Sequence, residues 1–374
     1  MLGRCANRSL VVLRTSGEKE RNLSRLTASL FSRLLRLFAA NPIAAFLRNI
    51  HRRHAILAVA ICGAALLVGC DKNPGDGQAV LRVGFFPNIT HAPALVGYHE
   101  TQTKGAAGWF ESRTGAKIEW YPFNAGPSAI EALLTGSIDV TYVGPNPVIN
   151  GYTRTKGADI RVLSGAARGG AALVVHKDSP LKTPANFRGR KIATPQLGGT
   201  QDVAARAWLV AGGLAITQRG GDANVIPTAN PDQLDLFKRG DLDAVWTVEP
   251  WVSRLEMETG GQILVEQKDV LTTLLAASSK ALKTKADLLK KFVAAHEELT
   301  AKVAADSAWA KPAVSAALQK ATSKAIPAAL LDHAWPRLTF TTEVQLADFA
   351  GIQRDAKSTG LLPAEADLSK LFAK

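Results

Sequence analysis

Two stretches of the 374-residue chain, PSAIEALLTGSIDVTYV (Pro127–Val143) and PDQLDLFKRGDLDAVWT (Pro231–Thr247), align at a constant offset of 104 residues. Pro127 falls on Pro231, Ile130 on Leu234, Glu131 on Asp235, Gly136 on Gly240, Asp139 on Asp243 and Tyr142 on Trp246. The physics of the two copies is the same. Proline suits the first turn of a helix, where its missing N–H goes unused, and glycine ends the helix in the left-handed conformation before an apolar strand begins. A second pair recurs in matching order, RVGFFP before one polar loop and KIATPQ before LGGTQD. Two copies of strand–loop–helix followed by helix–Gly–strand imply two similar α/β lobes.

Working outward, strand signals run over Val80–Phe85, Lys117–Tyr121, Asp139–Val143, Ile160–Gly165, Ala171–His176, Lys191–Thr194, Asn224–Pro227, Asp243–Thr247 and Gln262–Glu266. Helical stretches separate several of them, the alternation that builds a largely parallel sheet with helices on both faces. After Lys280 the pattern changes, and ADLLKKFVAAHEELTAKVAA carries its apolar residues at helical spacing.

In open α/β sheets ligands sit outside the carboxyl ends of strands, where loops lead into helix starts. Free N–H groups there carry partial positive charge and accept an anion without a buried cation. The segments NAGPS, LGGTQD and TANPD stand at such starts. Gly126, Gly198 and Gly199 allow close backbone approach, while Ser128, Thr200 and Gln201 offer side-chain donors, each hydroxyl serving either as a helix cap or toward a ligand. The loop FFPNITHAP (Phe85–Pro93) is stiffened by Pro87 and Pro93 and directs Asn88, Thr90 and His91 at a cleft mouth, with a backbone bond as the plainer role for His91. VGPNP is the equivalent loop after the Asp139–Val143 strand, with Gly144 at its turn and Asn146 as its donor.

The net charge of +13 suggests a nucleic-acid partner until its placement is examined. Residues 1–69 hold eleven Lys and Arg against two acidic residues, nine of those thirteen charges, so the remaining body is close to neutral and has no basic stripe. Such a body is a poor match for phosphate backbones. Residues 51–54 (HRRH) form a positive start to the apolar run Ala55–Val68, which is too short to span a bilayer comfortably and reads as an export signal. It ends in Leu67-Val68-Gly69-Cys70, which resembles the bacterial lipoprotein signal, where cleavage precedes a lipidated cysteine; Asp71 resembles the mark for retention at the inner membrane. Residues 1–50, with Leu and Phe set against Arg at helical spacing, read as sequence upstream of the true start, the alternative being a surface-lying amphipathic helix. Cys5 and Cys62 belong to the leader and Cys70 takes the lipid, so no disulfide is expected in the body.

Four stretches in order, LRVGFFPNITHAPALVG, EALLTGSIDVTYVGPNP, SPLKTPANFRGRKIATPQLGGTQD and FKRGDLDAVWTVEPW, resemble the substrate-binding lipoproteins of the nitrate, taurine and aliphatic-sulfonate ABC importers, most nearly the sulfonate branch. The resemblance covers Ala79–Lys374. It implies a type II periplasmic-binding-protein fold, two α/β lobes around a ligand cleft joined by a two-strand hinge. Lobe 1 would comprise residues 79–170 and 273–374, and lobe 2 residues 171–272. It further implies a monomer without cofactor that captures a small organic anion, most simply a sulfonate, and delivers it to an ABC permease and its ATPase from the periplasmic face of the inner membrane. Nitrate or taurine binding, or a lipid-anchored sensor, are the alternatives. Arg168, where the chain should first cross between lobes, is a candidate fork for the anion, with a solvated loop arginine as the other reading. Trp246 and Trp251, bracketing Glu249 and Pro250, are candidates to wall an organic tail, with core packing as the plainer role of Trp246. Enzymes share this fold, but those with a cysteine nucleophile or a cysteine-rich signature do not fit a body without cysteine after position 70. The histidines show no metal-ligand spacing, and no G-x-S-x-G elbow occurs.

Overall fold

The computed structural model describes residues 78–373. The leader and Cys70 lie outside the described residues. Thirteen strands are assigned in chain order: β1 Val80–Phe85, β2 Lys117–Pro122, β3 Val140–Val143, β4 Ile160–Gly169, β5 Ala171–Val175, β6 Lys191–Thr194, β7 Ile216–Thr217, β8 Gly220–Gly221, β9 Asn224–Pro227, β10 Ala244–Val248, β11 Gln262–Gln267, β12 Leu271–Ser278 and β13 Leu338–Phe340.

Two sheets carry the lobes. The first runs β13-β4-β12-β3-β1-β2 and the second β11-β5-β10-β6-β9, with β7 and β8 forming a separate ribbon. In the first, β1 pairs in parallel with β2 and β3, and β12 is antiparallel to β3 and β4. In the second, β6 pairs in parallel with β9 and β10, and β5 is antiparallel to β10 and β11. The order β2-β1-β3-β12-β4 therefore corresponds strand for strand to β9-β6-β10-β5-β11, which is the symmetry that the 104-residue repeat implies.

The repeat itself behaves as its chemistry requires. Pro127 and Pro231 lie in the first turns of the helices Gly126–Leu134 and Asn230–Lys238. Gly136 and Gly240, past the ends of those helices, have φ of 76° and 79°, a left-handed conformation that a side chain would strain. The strands that follow, β3 and β10, are buried throughout and lie inside their sheets. Continuous burial is what parallel strands covered on both faces demand. Apolar clusters fill both faces of each sheet.

The chain leaves the first sheet at Gly169 and Gly170 and returns through residues 268–270 to β12. The two crossings touch: the Gly169 N–H donates to the Val270 carbonyl at 2.9 Å. A Cβ on Gly169 would stand 2.4 Å from the Arg337 carbonyl oxygen and 2.6 Å from that of Lys268, so only glycine lets the crossings approach so closely. β4 runs on to Gly169, past the Gly165 expected from sequence, because it continues into this crossing. β12 and β13 carried no strand signal. No helix among the described residues is long and apolar enough to cross a membrane.

Candidate functional site

The loops at the carboxyl ends of the parallel strands meet between the two sheets and enclose a cavity of about 30 Å³ open to the centre of a water-sized sphere. One water needs about 10–15 Å³ by this measure, so the space suits a compact head group. Lobe 1 supplies Phe86, Asn88, Thr90 and His91 after β1, Asn124, Ala125 and Gly126 after β2, Gly144 and Pro147 after β3, and Thr272 of β12, a strand of the first sheet that begins at Leu271, two residues before the lobe boundary expected from sequence. Lobe 2 supplies Pro195, Gly199, Thr200 and Gln201 after β6, Asn230 after β9 and Val248 of β10.

The lobes are closed on one another. Asn146 Nδ2 donates to the Gly198 carbonyl at 2.8 Å and Asn124 Nδ2 to that of Pro195 at 3.3 Å. On the opposite side the Ile89 N–H donates to the Glu249 carbonyl at 2.9 Å, and the Trp251 indole N–H to Asn88 Oδ1 at 3.1 Å. Gly144 abuts Thr200 so closely that a Cβ on it would come within 2.3 Å of Thr200 Oγ1. Here the small residue is needed for lobe contact.

The cavity is rich in donors. Asn88 Oδ1 is taken by Trp251 and Asn230 Oδ1 by the Thr247 hydroxyl at 3.1 Å, which leaves the NH₂ ends of both amides free to donate. His91 Nδ1 accepts from the Phe86 N–H at 3.3 Å, so the ring proton resides on Nε2. Burial pushes the His91 pKa down to about 3, and the ring is neutral at physiological pH. Thr200 Oγ1 is buried without a partner at the start of the helix Thr200–Ala211. Among the described residues no Asp, Glu, Lys or Arg lines the cavity. The arrangement offers hydrogen bonds and helix-start dipoles with no fixed charge, which matches an acceptor-rich ligand of at most one negative charge.

The residues singled out from sequence divide into two groups. Asn88, Thr90, His91, Gly126, Gly144, Gly199, Thr200 and Gln201 are brought together in the cavity wall. Ser128, Asn146, Gly198, Arg168, Trp246, Glu249 and Trp251 do not line it. The Ser128 hydroxyl turns back onto the Ala125 carbonyl at 2.8 Å. Asn146 and Gly198 bond to each other across the lobes instead. Arg168 Nη2 donates to both carboxylate oxygens of Asp348 at 2.8 Å, so its fork is already engaged by a helix near the carboxyl end of the chain. Trp246 packs edge-on against Trp208 in the lobe 2 core and donates to Gln267 Oε1 at 3.2 Å. Trp251 belongs to the core on the other face of that sheet. Glu249 is fully buried; its carboxylate accepts from the Ser253 N–H and hydroxyl and from Arg337, and burial still holds its pKa up against those partners.

Asn230 stands in TANPD, a segment read as a helix start, but was not itself singled out, although the 104-residue offset pairs it with Gly126. Asn124 opens NAGPS, the segment in which only Gly126 and Ser128 were singled out. Thr272 lies on the strand that sequence reasoning missed, so nothing pointed to it. Asp202 was passed over inside LGGTQD, yet it shapes the lobe 2 loop. It accepts from Thr194 Oγ1 at 2.9 Å, the Gly198 N–H at 2.9 Å and Arg206 Nε at 3.0 Å. Among the described residues no group of three or more His, Cys, Asp or Glu could hold a metal ion.

The NMT1-like family matches residues 75–319. A Bacillus subtilis protein named for binding aliphatic sulfonates is 27% identical over 219 residues, 56% of this chain and 61% of its own length. An Escherichia coli protein named likewise is 31% identical over 163 residues, 42% of this chain and 48% of its own. The chain thus spans about half to three-fifths of these curated relatives. Among solved structures, the alkanesulfonate-binding protein of Xanthomonas axonopodis bound to MOPS aligns with a TM-score of 0.62 at 20% identity, covering 79% of this chain and 98% of that one. The fold is that of a periplasmic binding protein, and the chain belongs to the NMT1-like family.

Proposed function

We propose that the protein is the extracytoplasmic solute-binding component of an ABC importer, which closes its lobes on a small organic monoanion, an aliphatic sulfonate, and delivers it to a membrane permease. One observation carries this reading: a closed interlobe cavity whose side chains are neutral donors, with helix starts from both lobes and no fixed charge. A doubly charged anion would lose its hydration there with no cation to compensate. The names of the curated relatives favour a sulfonate among monoanions. Because Trp246 and Trp251 lie in the cores, apolar contact with the ligand falls to Phe86, Val248 and the prolines 147 and 195.

Calorimetry with alkyl sulfonates, taurine, nitrate, sulfate and phosphonates tests the assignment. At least one sulfonate is expected to bind at micromolar affinity or tighter, about −8 kcal/mol, with nitrate and sulfate weaker. Nitrate binding more tightly than every sulfonate overturns the ligand, and an absence of binding across the panel overturns the function.

The same reading includes a lipid anchor on Cys70 at the periplasmic face of the inner membrane. Cys70→Ser is expected to lose the mass of the lipid and leave the membrane fraction; a variant that sediments with membranes as the parent does, at unchanged mass, removes the anchor from the account.

A further inference from the structure

The described chain enters the fold at one end of lobe 1. There the Ala79 carbonyl accepts from the Lys117 N–H at 2.8 Å, and the Val80 carbonyl accepts from Lys285 Nζ at 2.7 Å. β1, β2 and β3 begin at this end, and β12 finishes beside them, the Ser278 N–H donating to the Asp139 carbonyl at 3.2 Å. The ligand cavity lies at the opposite ends of β1, β2 and β3. Lys285 joins the helices Ser279–Thr284 and Ala286–Ala305, so their joint sits against the point of entry.

Positive charge gathers around that joint. Asp139 holds both Arg82 and Lys285, at 2.9 and 2.8 Å, a trio with one positive charge left over, while Lys117 is matched by Glu119 at 2.7 Å. Lys280 lies over the turn before β3, its Nζ 4.0 Å from where a Cβ on Gly136 would be. Lys283 is exposed on the same short helix, and Lys290 and Arg161 line one groove with Leu282 and Ala286 beside the joint. With Lys291 these make five further cations against three exposed acids, Asp159, Asp287 and Glu297, so the end carries a surplus of three positive charges with the trio included. The whole body from residue 70 has a surplus of only four. Most of it therefore sits at one end of one lobe.

Seven residues, 71–77, separate Cys70 from Gln78. A chain extends at most about 3.6 Å per residue, so a lipid on Cys70 holds Gln78 within about 29 Å of the bilayer. We propose that this end of lobe 1 rests on anionic phospholipid headgroups through Lys280, Lys283 and Lys290, which turns the ligand cavity away from the bilayer. The tether rests on the lipid-anchored reading; the charged surface does not. A lysine close to an anionic membrane strengthens attachment about fivefold, and acyl chains with a basic patch act together as two signals. The patch is too small and too local to follow a nucleic-acid backbone.

Residues 77–374 form a compact unit of their own, so the chain from Asp71 to Lys374, without leader or lipid, isolates the surface. Sedimentation is carried out in about 0.1 M salt, where charges more than about 10 Å from the membrane are screened. Vesicles of three parts phosphatidylcholine to one part phosphatidylglycerol are expected to carry the protein down, and vesicles of phosphatidylcholine alone to leave it in solution. Lys280→Gln and Lys283→Gln are each expected to weaken binding about fivefold, and the triple variant with Lys290→Gln to bring it to background. Lys177→Gln with Lys182→Gln removes two exposed charges from lobe 2 and is expected to leave binding as in the parent. Three results overturn the proposal: no preference for the phosphatidylglycerol vesicles, a triple variant that binds as the parent does, or a lobe 2 pair that weakens binding as much as the lobe 1 pair. None of these measurements involves the lipid or the ligand, so failure of the Cys70 anchor or of the sulfonate assignment is told apart from failure of this surface.

Discussion

Replacing Asp202 with alanine is expected to cost about 3–5 kcal/mol of stability, the range for breaking one side of a buried ion pair. Asp202 is 0% exposed and Arg206 1% exposed, so neither has water to fall back on. Arg206 also donates to the Thr217 and Val225 carbonyls, at 2.6 and 3.1 Å, which fixes the guanidinium in place. With the carboxylate gone, a charge without a counter-charge stays inside lobe 2, and both the Thr194 hydroxyl and the Gly198 N–H lose their acceptor. The second loss has a functional side. Gly198 adopts φ of 75°, and its N–H anchors the loop that presents Gly199, Thr200 and Gln201 to the cavity. Ligand affinity should fall with stability. Urea denaturation of Asp202→Ala measures the first effect, and a loss under about 1 kcal/mol would show that the network is not what holds the loop.

Acidification from pH 7 to pH 5 should remove about 4 kcal/mol of stability through two histidines, about 2 kcal/mol each. His91 and His296 are both buried, and burial lowers their pKa values to about 3 and about 4; for His296 a bond to the Gly165 carbonyl works the other way without reversing the shift. The Nδ1 of each ring is an acceptor, from the Phe86 N–H in His91 and from the Tyr142 hydroxyl in His296 at 3.0 Å, so a second ring proton would break a bond as well as charge the interior. The unfolded chain protonates these rings near pH 6.5. Their contribution is therefore complete above that pH, and fades as pH falls from about 6.5 toward 4 and 3, because only the unfolded state takes up protons in this window. Glu249 acts in the opposite sense, its raised pKa relieving a cost as pH falls. Denaturation midpoints at pH 7, 6 and 5 should drop steadily, and a fall below about 1 kcal/mol would mean that the rings are not held neutral.

Local sequence decided much of the fold. Pro127 with Gly136, and Pro231 with Gly240, mark helix starts and stops by the geometry of their own backbones, so the two lobes were legible without any tertiary information. The loops leading into the cavity were legible for the same reason, since glycine, asparagine and threonine at a helix start have local causes. β12 was not. Its run LTTLLAAS is buried on both faces and lacks alternation, and leucine and alanine suit a helix as well as a strand. Only its neighbours, β3 and β4, make it a strand in the middle of the sheet.

Side-chain partners mark the other limit. Arg168 looked free to bind an anion because its partner, Asp348, is 180 residues away. Trp246 and Trp251 are candidate cavity walls only by their place beside Glu249 and Pro250; what covers them, Trp208 against Trp246 and the apolar cluster on the other face of the sheet around Trp251, comes from distant parts of the chain. The sequence by itself determined the repeat, the lobes and the loops that meet at the cleft, since these depend on residues within one turn or one strand. Tertiary structure alone decided which polar groups are already paired and which still face the cavity, because a hydrogen bond between residues far apart in the chain leaves no trace in either residue's neighbours.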